Sequence, residues 1–86
     1  MKAITTKFHG PSNIKGSRYS ATDSDGNRVI LSTDFALGSE GNHDRAAVAL
    51  CQKMGWTQHN LIRGGVKDGN VYVFESERER VQVNRG

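Results

Sequence analysis

Residues 42–56 read NHDRAAVALCQKMGW, and this stretch decides the fold. Ala47, Leu50, Cys51 and Met54 fall at i, i+3, i+4 and i+7, which lays one apolar stripe along a helix. Asn42 stands where an N-cap is wanted, its side-chain oxygen able to accept from first-turn amides. Asp44 near the start and Lys53 near the end match the helix dipole. Gly55 suits a left-handed C′ position, and Trp56 follows where an apolar residue folds back on the last turn.

On either side of this helix the apolar period changes to two. Residues 3–8, AITTKF, set Ile4, Thr6 and Phe8 against Ala3, Thr5 and Lys7, the pattern of a half-buried strand. Residues 9–16, HGPSNIKG, carry loop punctuation. Residues 17–22 return as a strand with Tyr19 and Ala21 on one face. DSDGN at 23–27 is a turn in which Gly26 is free to take positive φ. Residues 28–32 give a third strand, with Val29 and Leu31 opposite Ile30. The connection 33–41 is read as irregular, with Phe35 and Leu37 plugging the sheet edge.

Beyond the helix, residues 60–64 read as a short strand and 64–69 as a turn. Residues 71–75, VYVFE, have the strongest strand propensity in the chain. Both of their faces are apolar, which predicts a central place in the sheet. The order β-β-β-α-β-β predicts an α+β fold, an antiparallel sheet with one helix packed on one face. Residues 1–75 are expected to form a single domain. The charged tail 76–86 is either frayed or, through Val81 and Val83, an extra edge strand.

Eighty-six residues suffice for one modest core. No apolar run approaches the roughly 20 residues of a spanning helix, and the N-terminus lacks the apolar block of a signal peptide. A cytoplasmic protein, without membrane partners, is expected. Cys51 is the single cysteine, and it lies on the helix stripe, the position of a buried structural thiol. The net charge is +3. Residues 1–22 hold Lys2, Lys7, Lys15 and Arg18 without an acid, whereas acids dominate the stretch to Arg45.

Motifs for chemistry are weak. The segment 10–17, GPSNIKGS, departs from a phosphate-binding loop in glycine spacing, in the place of Lys15 and in being followed by a strand. DSDGN lacks the closing glutamate of a calcium loop. His9, His43 and His59 have no metal-ligand spacing, and adjacent His43 and Asp44 diverge on a helix. No catalytic residue, cofactor or metal is expected, and the chain reads as a binding protein, not an enzyme. For nucleic acid, Lys7, His9, Lys15 and Arg18 supply cations. The aromatics Tyr19 and Trp56 are better accounted for by the core and by helix closure.

Three pieces, TTKFHGPSNIKGSRYSATDSDGNRV, NHDRAAVALCQKMGW and GGVKDGNVYVF, resemble in order and spacing a group of short proteins encoded by tailed bacteriophages and prophages. The resemblance rests on Gly16-Ser17-Arg18, the helix ending in Gly55-Trp56 and the aromatic strand, and it leaves the tail uncovered. The layout is also similar to that of small anti-CRISPR proteins. This implies a small phage inhibitor acting in the host cell, which binds a host protein or nucleoprotein complex and blocks it. Expected contacts are Lys7, His9, Lys15 and Arg18 on the first hairpin, Arg45 and Gln52 on the helix, and Arg63 and Lys67. The alternative expectation is a small nucleic-acid-binding module using the same basic hairpin.

Overall fold

The computed structural model describes residues 3–12, 16–56, 60–67 and 69–75. The elements are β1 (Ala3–His9), β2 (Arg18–Asp23), β3 (Arg28–Ser32), α1 (Ser39–Met54), β4 (Leu61–Val66) and β5 (Gly69–Phe74). All strand pairs are antiparallel, and the sheet order is β3-β2-β1-β5-β4. The fold is α+β, one five-stranded sheet with a single helix against one face. β1 is the middle strand, because β5 returns beside it after the chain has passed through α1.

Strand alternation sorts the side chains. Ile4, Tyr19, Ala21, Tyr72 and Phe74 point to the helix, where they meet Ala46, Ala47, Leu50 and Cys51 in one buried cluster, and Thr6 is buried on the same face. Val29, Leu31, Met54, Trp56 and Leu61 close its margins. Full burial of a side chain such as Leu50 or Ile4 contributes about 2 kcal/mol. The small Ala46 and Ala47 let the helix sit close on β1 and β2.

The helix end follows its sequence signals. Gly55 has φ 74°, the Gly55 amide donates to Gln52 O at 3.2 Å, and the Trp56 amide donates to Cys51 O at 2.8 Å. This paired reversal satisfies carbonyls that the helix would otherwise leave open. The Trp56 ring then meets Phe74 edge-on with centroids 5.8 Å apart.

The helix start differs from the expectation. It begins at Ser39 after an extended Gly38, without a side-chain cap, and Glu40 is the first-turn acid. Asn42 is instead buried one turn in. Its Nδ2 donates to the carbonyls of Asp34, Leu37 and Gly38, and its Oδ1 accepts from the Asp34 amide at 2.8 Å. One amide side chain thus ties down the loop ahead of the helix. Phe35 does not plug the sheet edge. It is 87% exposed and Leu37 42%, because Asn42 fixes the loop with these side chains turned outward.

The last hairpin is also tighter than expected. Val66 pairs with Gly69, so β4 extends through Gly64 and Gly65 to Val66. A Cβ on Gly69 would stand 1.8 Å from the Thr6 carbonyl oxygen, so only glycine allows β5 to approach β1 there. The expected β5 is an interior strand, one place from the sheet centre. The expectations for Lys15, His59 and the tail 76–86 lie outside the described residues. No helix among the described residues is long and apolar enough to cross a membrane.

Candidate functional site

Two polar constellations result from this topology, one on each side of β1. The first lies beneath the N-terminal half of α1. Thr6 Oγ1 is hydrogen-bonded to His43 Nδ1 at 2.7 Å, and the His43 ring stands edge-on to Tyr19. Asn70 Nδ2 donates to Glu40 Oε1 at 3.0 Å, and the Tyr72 hydroxyl donates to Asp44 Oδ1. Arg63 completes the chain, with Nη1 donating to both Asp44 oxygens and Nε 3.1 Å from Glu40 Oε2.

The titration shifts in this group have plain causes. Burial and the bond to Asp44 push the Tyr72 hydroxyl up to about 12. Burial holds His43 below its ordinary value despite nearby Glu40 and Asp44. Asp44 lies below the usual carboxylate range: burial acts upward, and the bonds from Tyr72 and Arg63 outweigh it. The groups satisfy one another, and His43 and Asp44 point to different partners. We read this network as the lock between helix and sheet.

The second constellation occupies the face that α1 leaves open. Directly opposed residues share a face. The register sets Lys7 beside Ser20, His9 beside Arg18, and Thr5 beside Thr22 and Arg28. A concavity of about 500 Å³ lies among Thr5, Lys7, His9, Ser20, Thr22 and Arg28, with Asp23 and Ser24 at its rim. Among the described residues Asp23 is the one carboxylate of that lining, and the turn engages it: it accepts from the amides of Asp25 and Asn27 and from Asn27 Nδ2.

His9 Nε2 lies 2.8 Å from Ser20 Oγ. Burial, then the charges of Arg18, Arg28 and Lys7, hold the imidazole below its ordinary value. His9 therefore feels the charges of three cations carried on three strands. Arg18 Nε is a buried donor without a hydrogen-bond partner. The Ser20–His9 pair does not make a presented nucleophile, since Ser20 is only 3% exposed. Cys51 is buried, and burial pushes its thiol up. Among the described residues no group of three His, Cys, Asp or Glu side chains could hold a metal.

Of the contact residues expected from sequence, the fold brings Lys7, His9 and Arg18 together on the open face. Arg45 and Gln52 lie on exposed parts of α1, where Arg45 Nη1 donates to Ser32 O. Arg63 is on the helix side, held by Asp44 and Glu40, and Lys67 is in the last turn. Arg28, Thr5 and Thr22 were missed as site residues. Alternation within β3, Arg28-Ile30-Ser32 against Val29-Leu31, carried the signal for Arg28. A scan against protein-family models, a search of curated proteins and a search of solved structures each found no match for this chain.

Proposed function

We propose that this chain is a small binding protein that acts by occupation, docking its open sheet face on an anionic surface of a larger nucleoprotein machine. The observation that carries this reading is the placement of Lys7, His9 and Arg28 around a concavity whose described carboxylate is already engaged by its turn, with Arg18 on the same face beside His9. Such a face attracts and orients an anionic partner through charge complementarity. The likeness to short phage proteins and to the anti-CRISPR layout supports a blocking role in a host cell, and the shielded Ser20 and buried Cys51 suit a protein without catalysis of its own.

The test is capture of partners from nuclease-treated host lysate by the tagged chain, with Arg18→Ser/Arg28→Ser as the paired variant. A stoichiometric nucleoprotein complex held by the native chain and lost by the variant supports the reading. Equal capture by both proteins removes the open face from the interaction.

A second reading, direct binding of nucleic acid, is favoured by the hydroxyls of Thr5 and Thr22 among the cations. Arg, Lys and short hydroxyl side chains are the usual partners of phosphate oxygens.

A further inference from the structure

The open face is divided into two halves. On β1, β2 and β3 it carries Lys7, His9, Arg18 and Arg28 with the hydroxyls of Thr5 and Thr22, and one exposed apolar residue, Ile30, beside Ser20. On β5 and β4 the same face continues as Val73 beside Ile62, Val71 beside Gly64, and Gly69 beside Val66. That half is apolar, and Val66 is 48% exposed. The face is free of aromatic rings across these strands, because Tyr19, Tyr72 and Phe74 are all turned into the core.

A duplex presents phosphates on its outer surface and keeps its bases stacked inside, so it would leave the apolar half facing water. A single strand presents phosphates along one side and apolar base faces along the other. We propose that the open face holds a single-stranded nucleic acid, its phosphates on Lys7, Arg18 and Arg28, its bases over Val71, Val73 and Ile62, and its arrival accompanied by protonation of His9. This names the ligand of the docking face and rests on that reading.

The proton follows from the arrangement of charge. His9 shares its face with Lys7 on its own strand, with Arg18 directly beside it on β2, with Arg28 at the far end of β3, with Asp23 in the same lining, and with uncharged Gly69, Val71 and Val73 on β5. Without a ligand, burial and then the charges of Arg18, Arg28 and Lys7 disfavour the charged imidazole beside Ser20. A phosphate placed among them cancels the repulsion and favours the charged imidazole. Binding therefore takes up a proton, and affinity rises as pH falls through the histidine range. Without aromatic stacking, the face tolerates sequence change and depends strongly on salt.

The test is fluorescence anisotropy with a labelled 15-mer of deoxythymidylate, a 15-base-pair duplex and an acidic amphipathic peptide, each at pH 8.0 and pH 5.5. The native chain is expected to prefer the single strand and to gain about tenfold in affinity at the lower pH, the equivalent of a one-unit shift at His9. His9→Gln keeps a hydrogen-bonding partner for Ser20 and is expected to lose that gain. The logarithm of affinity should fall against the logarithm of salt with a slope of about −2 for three phosphate contacts, and the slope should shrink in Arg18→Ser/Arg28→Ser. Preference for duplex or peptide, a gain that persists in His9→Gln, or no binding to the single strand overturns the proposal. If the single strand fails but the arginine variant still loses a nuclease-resistant complex, the ligand is wrong and the docking face stands. If the variant loses nothing, both fall.

Discussion

Thr6 Oγ1 on the central strand and His43 Nδ1 on the helix lie 2.7 Å apart, and both residues are buried. The bond joins the middle of the sheet to the second turn of α1, beneath the Tyr19 ring. Thr6→Val keeps the shape and removes the hydroxyl, leaving the imidazole nitrogen without its partner. The expected loss is about 1–3 kcal/mol, the cost of an unsatisfied buried polar group. Urea unfolding measures it, and an unchanged midpoint would show that the bond contributes nothing.

The same histidine makes stability depend on pH. Burial lowers its folded-state pKa below the ordinary 6.5, so between the two values the unfolded chain binds more protons than the folded one. This contribution is complete above pH 6.5 and is lost as pH falls through the lowered folded value. His9 acts in the same direction, and Asp44 adds a separate loss in the lower range as acid reaches its depressed pKa. Thermal melts from pH 8 to pH 5 should show a falling midpoint. His43→Gln should fall less steeply than the native chain, and a parallel pair of curves would remove His43 as the source.

Gly69 and Gly65 lie near the same hairpin, opposite Val66 and Asn70 respectively, but differ in what surrounds them. A Cβ at Gly69 collides with the backbone of Thr6, which no rotamer can relieve, whereas a Cβ at Gly65 meets open space. Gly69→Ala is expected to destabilise the fold by about 3 kcal/mol or more. Gly65→Ala is expected to stay within about 0.5 kcal/mol. Chemical denaturation of the two variants side by side checks the contrast, and equal effects would refute the close approach of β5 to β1.

Asn42→Ala removes four hydrogen bonds that hold the loop before the helix. The Asp34 and Gly38 carbonyls keep the Leu37 and Asn42 amides, so the expected cost of about 1–2 kcal/mol follows mainly from the Asp34 amide, which loses its acceptor. The local signature is faster hydrogen exchange at the Asp34 amide. Retained protection there would mean that the loop is held by something other than Asn42.

How much of this was legible in the sequence depended on the range of the interaction. The Gly55-Trp56 reversal was readable, because its hydrogen bonds span a few residues and its glycine must take positive φ. So was the Asp23-to-Asn27 turn, where Gly26 has φ 91° and the Asp23 carboxylate gathers the turn amides. The start of the helix was not. An asparagine suits a cap and suits a buried staple equally well, and only the folded loop at Asp34 decides between them. Phe35 and Leu37 were expected inside because they are apolar, yet a loop fixed by its backbone carries its side chains wherever the backbone directs them.

The candidate site shows the same division. Lys7 and Arg18 could be grouped from one hairpin, and alternation placed them on the side away from Ile4 and Tyr19. Arg28 joined them only through the pairing of β3 with β2. Arg63 read as another exposed cation until β4 set it beside Asp44 and Glu40 on the helix side.

By itself the sequence determined the elements: periods of two and 3.6, positive-φ glycines and turn carboxylates act over a few residues and need no partner strand. The tertiary structure alone decided the order β3-β2-β1-β5-β4, since pairing β5 with β1 joins residues more than sixty positions apart. That long-range pairing made β1 the centre of the sheet, locked Thr6 to the helix on one side, and gave the cations of β1, β2 and β3 and the apolar residues of β5 and β4 a common open face on the other.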